Sequence, residues 1–231
     1  MYLNGVINMF NCKIKLILVI ISLFVHSIAF AEEPLNEELS AEQADEKLAI
    51  EQMDEKTCEE NVRKAMLEGM QTAVSKYGKA GGIYDDPRIR LPMPEGFKKV
   101  EKLAKKFGGK KLTNSFIKTL NSTTEKTLEK SIPIVTDYIN TMPIENSKQL
   151  GCGASEATGE YFAAQPKPDM IEKMIPVINT VSEQQGMMKS LKKLLDKVKL
   201  IKLIYKIKTK IDKAIIKLVI NLLAQSMKQK T

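Results

Sequence analysis

Arginine is scarce in this chain. Among 36 basic side chains only Arg63, Arg88 and Arg90 are arginines, and two of them fall in the segment Asp85-Asp86-Pro87-Arg88-Ile89-Arg90-Leu91-Pro92. Where lysine is the default cation, a pair of arginines in a proline-stiffened stretch points to planar, two-pronged hydrogen bonding. Read as extended backbone, positions 88 and 90 face the same side. They would then form a fork for a carboxylate or phosphate ligand, or, more simply, a clamp onto Asp85, Asp86, Glu156 or Glu160. Glu156 and Glu160 lie one helical turn apart, the spacing of an acid/base pair, although carboxylates so placed ordinarily serve as surface ion-pair partners. Tyr161-Phe162 reads as a core anchor, with ligand stacking as the alternative.

Other chemistry is narrowed by what the chain lacks. Its one histidine, His26, lies in an N-terminal leader, so a chain without that leader has no imidazole for a Ser-His-Asp, Cys-His or HExxH site. Cys58 and Cys152 stand either as a disulfide closing a long loop or as two buried thiols; the Cα separation that decides between them is not in the sequence. Two cysteines without histidine are a poor metal site. Gly78-Lys79-Ala80-Gly81-Gly82 and Gly108-Gly109-Lys110-Lys111 lack Walker spacing and a preceding strand, and read as helix stops. Asn121-Ser122-Thr123 matches a glycosylation acceptor. Met170, Met174, Met187 and Met188 read as core filler in a chain without Trp rather than as a soft-metal site. No metal or cofactor is expected.

The leader itself has the parts of a secretory signal. Lys13 and Lys15 precede the apolar run Leu16 to Val25, and Ala29-Phe30-Ala31 offers a small-x-small cleavage pattern, so cleavage after Ala31 would leave Glu32 as the first residue of a periplasmic protein. The apolar run is short for a membrane span. Beyond it the charge is segregated. Residues 32–60 carry twelve acids against two lysines, whereas residues 187–231 carry thirteen lysines against two aspartates. Residues 32–56 read as an acidic, partly helical or disordered lead-in, and residues 57–231 as an all-helical domain.

Within that domain the apolar spacing is helical. Thr57-Cys58-Glu59-Glu60 fits a capping box, followed by Val62, Met66, Met70, Ala73 and Tyr77, with Gly78 as a stop. Gly81 to Pro94 must be a loop, because its prolines forbid a helix. Pro94-Glu95 predicts a helix start, with Phe97, Val100, Leu103, Ala104 and Phe107 on its apolar face. Leu112, Phe116, Leu120 and Leu128 mark another helix, Pro133 starts a short one, and Ala154 to Ala164 form the next. Residues 169–185 form a helix that Pro176 should kink. Leu203 to Ile211 is ambiguous between helix and strand. The last helix places Lys210, Lys213, Lys217 and Asn221 in one polar stripe opposite a wide apolar arc, to be buried in the bundle or laid on an anionic membrane with its lysines toward the headgroups. The fold class is all-α: a single irregular bundle of about seven to nine helices, with a proline-rich loop after the first core helix.

The chain resembles a bacterial family known as domain of unknown function 4197. The likeness is carried by Ala73-Val74-Ser75-Lys76 leading to Gly81-Gly82, by Asp86-Pro87-Arg88-Ile89-Arg90-Leu91-Pro92-Met93-Pro94-Glu95, by Lys99-Val100-Glu101-Lys102-Leu103, and by Ala157-Thr158-Gly159-Glu160-Tyr161-Phe162. The resemblance implies an exported, all-helical domain and carries over no catalytic residue. Gln225-Ser226-Met227-Lys228 departs from the acidic and arginine-containing tail that the family pattern has.

Three functional classes are compatible with these residues: an exported interaction module, a peripheral membrane or lipid-binding protein, and an enzyme working with carboxylates alone. The missing histidine and tryptophan place the enzyme last. A pI near 9.2 alone suggests nucleic acid, and the scarcity of aromatics and the expected export argue against that partner. The expectation is a non-catalytic helical binding or structural module of the periplasm, with a protein or an anionic membrane surface as its partner.

Overall fold

The computed structural model describes residue 48, residues 52–94 and residues 97–229. The leader, its cleavage point and nearly all of the acidic lead-in lie outside the described residues. Residues 50–231 cluster as one unit. Among the described residues there are eight α-helices and no strand: α1 Glu55–Tyr77, α2 Lys98–Lys106, α3 Lys110–Lys130, α4 Ile132–Thr141, α5 Ser155–Ala164, α6 Pro168–Gln184, α7 Met187–Lys197 and α8 Ile204–Met227. A 3-10 turn, Ile201–Leu203, leads into α8, so the ambiguous stretch is helical. None of the described helices is long and apolar enough to cross a membrane.

The helix ends follow local chemistry, with two departures from expectation. α1 begins two residues before Thr57, because Asp54 rather than Thr57 is its N-cap. The Asp54 carboxylate accepts the Thr57 backbone N–H at 3.0 Å and its hydroxyl at 2.6 Å. A charged carboxylate there interacts with the positive end of the helix dipole more favourably than a neutral hydroxyl does. α2 begins at Lys98, and Phe107 at its C-terminal end is 53% exposed rather than part of the core. The other Phe of α2's approach, Phe97, is buried. α6 continues through Pro176 as one helix.

α8 is a principal core helix. Ile207, Ile211, Ile215, Ile216, Val219, Leu222, Leu223 and Met227 are all buried, and α8 packs on α1 and α5. Two glycines set how closely. A Cβ on Gly69 of α1 would lie 2.6 Å from the Met227 Cα, and one on Gly159 of α5 would lie 2.6 Å from the Ala224 carbonyl oxygen. These backbones therefore meet where only hydrogen fits in place of a side chain. α3 packs on α6 and α7, with Phe116, Leu120 and Leu128 buried along it. Met170, Met174 and Met187 are core residues.

The long loop between α4 and α5 is fastened to the start of α1. Cys58 and Cys152 are joined by a disulfide, with Cα atoms 4.2 Å apart across a sequence separation of 94. Beside it, the Glu55 carboxylate accepts the Ser147 backbone N–H at 2.8 Å and hydroxyl at 2.6 Å. That hydroxyl is the main reason the Glu55 carboxyl titrates below its ordinary value.

Candidate functional site

The proline-framed loop, residues 81–94, is a folded object held from beneath by α3. Glu125 is 3% exposed and takes no ion pair among the described residues. Its carboxylate instead accepts three backbone N–H groups of the loop: Gly81 at 3.2 Å, Ile83 at 3.0 Å and Tyr84 at 2.9 Å. One turn earlier on the same face, the buried Asn121 accepts the Leu91 N–H at 2.8 Å and donates to the Leu91 carbonyl at 2.9 Å. An amide side chain so placed copies the pairing of a neighbouring strand and holds Leu91 at both of its polar groups. Ile83 at the first anchor and Met93 just beyond the second are buried, so the loop is fastened by apolar side chains as well.

This geometry overturns the extended reading of positions 88 and 90. The Ile89 and Arg90 N–H groups both donate to the Asp86 carbonyl, at 3.3 and 2.9 Å, so the backbone turns there and no fork forms. The Arg88 side chain, 84% exposed, folds back on Asp86 at 2.7 Å. That partner holds the Asp86 carboxyl down at about 2 and raises Arg88 above its ordinary value. Arg90 lies over the Tyr84 ring, 5.4 Å from its centroid. Of the clamp partners expected from the sequence, Asp86 is engaged, within the loop itself.

The α5 candidates are not assembled with the arginines. Glu160 pairs with Lys228 of α8 at 3.0 Å, and Glu156 is exposed with no ion pair among the described residues. The Tyr161 hydroxyl donates to the Pro143 carbonyl at 3.0 Å and accepts the Glu145 N–H at 3.2 Å, fixing α5 to the loop after α4. Phe162 is buried and meets Tyr138 edge-on at 6.0 Å. Asn121, the glycosylation acceptor in the sequence, is fully buried and engaged by Leu91. The apolar arc of α8 is packed inside the bundle while Lys210, Lys213 and Lys217 are exposed, so the arc is not free to lie in a leaflet.

Three polar residues emerge that sequence reasoning missed. Asn121 and Glu125 had a signal: they share a helical face with the buried Leu128, at spacings of four and three. Arg63 is the third. Its guanidinium donates to the carbonyls of Ile139 and, at 2.9 Å, Met142, and is held by Glu59 at 2.6 Å, so the two-pronged geometry sought at the loop caps the C-terminus of α4 instead. Lys167 plays a similar part for α5. It is 6% exposed, donates to the Gln165 carbonyl at 2.6 Å, and sits 4.7 Å from the Phe162 ring centroid. Burial pushes its amine down to about 8.

A cleft of about 360 Å³ opens between α4 and α6, lined by Tyr138, Asp137, Lys173 and prolines 143, 166 and 168. Two of its charged groups pair with each other, Lys173 on Asp137 at 2.7 Å, and the Tyr138 hydroxyl donates to the Pro166 carbonyl at 3.0 Å. No group of three or more metal-ligating side chains is present among the described residues.

What these features define is an all-helical bundle that uses buried polar side chains to hold a proline-framed loop in a set shape. The family model described as "Protein of unknown function (DUF4197)" matches residues 52–230, and the chain belongs to that family. No curated protein and no solved structure matches it.

Proposed function

We propose that this chain is an exported, non-catalytic helical binding module whose display surface is the proline-framed loop. One observation carries the reading. Buried groups, Glu125 and Asn121, are committed to the loop backbone, while Arg88 on its outer side is 84% exposed. Burying polar side chains costs free energy unless they are matched, and here the match goes to holding a surface shape. A surface loop positioned by a rigid scaffold is the usual place for recognition. Export is supported by the leader's pattern and by the Cys58–Cys152 disulfide, a bond that persists in oxidising compartments. Without the leader the chain has no histidine, which supports binding rather than acid/base chemistry.

The test is site-specific crosslinking in living cells, with the photoreactive substitution Arg88→p-benzoylphenylalanine in the full chain. The same substitution at Lys118, exposed on α3, serves as the control. The reading predicts a discrete adduct from position 88 and none from 118. No adduct from 88, or the same adduct from both positions, would remove the loop as the display surface.

A further inference from the structure

A second surface lies away from the loop. Three of the large apolar side chains that the fold leaves exposed are Phe107 at 53%, Leu203 at 40% and Tyr205 at 82%. They belong to two connections, the α2–α3 turn and the passage from α7 into α8, and helix packing brings these together. Ser122 of α3 donates to Gln185 just before α7 at 2.8 Å, and Ser115 meets Ser190 of α7 at 3.4 Å. As the chain advances from 185 to 190, its neighbour on α3 retreats from 122 to 115, so α7 runs antiparallel to α3. Continuing α7 to Lys197 adds about 10 Å at 1.5 Å per residue, which reaches the start of α3 and the turn carrying Phe107. α2 packs on α7, and the 3-10 turn packs on both α7 and α8, as this path requires.

The same end is strongly cationic. Residues 102–124 contain no acid, and Asp196 is the one acid between residues 184 and 211. Lys106, Lys110, Lys111, Lys199, Lys202 and Lys206 are exposed and take no ion pair among the described residues. We infer that this end of the bundle docks on an anionic phospholipid leaflet, with Phe107, Leu203 and Tyr205 entering the interface and the surrounding lysines meeting the headgroups. The charge pattern selects that occupant. Lysine is a compact point charge on a flexible stem, suited to a diffuse anionic surface, whereas a defined anionic pocket would call for arginine forks. Each lysine held near an anionic leaflet contributes roughly 1 kcal/mol, and the attraction is screened by salt. Single apolar side chains with a cationic surround match a water–lipid boundary, with Tyr205 supplying an amphipathic ring there. Lys111 and Asn121 are separated along α3 by about 15 Å of helix rise, so docking at this end leaves the proline-framed loop free.

The test is co-sedimentation of the processed protein, residues 32–231, with vesicles of phosphatidylglycerol mixed with phosphatidylcholine, and with phosphatidylcholine alone, across a salt series. The account expects binding to the anionic vesicles only, weakening as salt rises. Lys199→Glu/Lys202→Glu/Lys206→Glu should lower partitioning by about tenfold or more, and Phe107→Ser/Leu203→Ser/Tyr205→Ser should lower it as well. Lys210→Glu/Lys213→Glu/Lys217→Glu, the same charge change on the α8 stripe, should stay within about threefold of the parent. All replaced side chains are exposed, and unfolding midpoints verify that each variant is folded. Absence of binding, equal binding to both vesicles, or equal losses in the two lysine variants would overturn the inference. The loop reading would stand through any of these results, because crosslinking at position 88 tests it separately.

Discussion

Replacing Glu125 tests whether buried polar chemistry holds the loop. Oε1 accepts from Ile83 and Tyr84, and Oε2 accepts from Gly81. In Glu125→Gln the remaining oxygen can still serve Ile83 and Tyr84, but the amide nitrogen would face the Gly81 N–H, donor against donor. Charge-assisted bonds become neutral ones, each weaker by about 1 kcal/mol, while Gly81 is half-exposed and can bond to water. The expected loss is ~1–2 kcal/mol. In Glu125→Ala all three donors lose their acceptor, and Ile83, at 0% exposure, keeps its N–H away from water. One stranded donor costs about 1–3 kcal/mol, and the vacated volume adds to it, giving ~3–4 kcal/mol. Urea unfolding of the two variants measures these values, and amide hydrogen exchange at Ile83 and Tyr84 reports whether the loss is local. A Glu125→Gln variant as stable as the parent, or more stable, would refute the reasoning, because the cost of burying an unpaired carboxylate would then exceed the worth of its three bonds.

Other outcomes follow from the same geometry. Gly159→Ala should lower the unfolding midpoint even though alanine favours helix by about 1 kcal/mol. Its Cβ would sit 2.6 Å from the Ala224 carbonyl oxygen, forcing α5 and α8 apart at a cost of ~1–3 kcal/mol. Reducing the Cys58–Cys152 bond, or Cys58→Ser/Cys152→Ser, should destabilise the bundle by ~4–5 kcal/mol on chain-entropy grounds, given the 94-residue separation; matched denaturation curves check it. Asp86 is held at about 2 against an ordinary 3.8 by Arg88. Its folded value is depressed, so its contribution to stability is present above about pH 4 and is lost as pH falls toward 2. In Arg88→Gln the Asp86 carboxyl should rise toward its ordinary value but stay below it, because the backbone N–H of residue 88 still donates to it at 3.0 Å; carboxyl-carbon NMR reads the shift.

The helices were legible because they depend on local pattern. Three-to-four spacing marks α1 and α3, Gly78 and Gly108-Gly109 end helices, and the apolar arc of α8 is wide enough to demand burial. The start of α1 was missed because Asp54 and Thr57 are both acceptable caps, and the choice rests on which one reaches the free N–H groups. Phe107 keeps the helical spacing of a core residue but falls where α2 runs out of neighbours. The loop's anchors were harder still. Nothing near Leu91 or Ile83 in sequence indicates that their polar groups will be met by Asn121 and Glu125, some 30 and 42 residues later. The prolines suggest extended backbone that would put Arg88 and Arg90 on one side, as a fork or a clamp, whereas Asp86 turns the chain by accepting from both Ile89 and Arg90. A residue type can signal that special geometry is wanted without saying where the partner lies. At Arg63 the partners are carbonyls at the far end of α4.

The most direct test of an exported, disulfide-fastened binding module is the intact mass of the protein recovered from a bacterial host expressing the complete 231-residue sequence. Separate periplasmic and cytoplasmic fractions would be alkylated before any reduction. The account predicts a periplasmic species that begins at Glu32 and whose Cys58 and Cys152 take up no alkylating reagent until reduced. A cytoplasmic species that keeps its leader and alkylates at Cys12, Cys58 and Cys152 without reduction would contradict it.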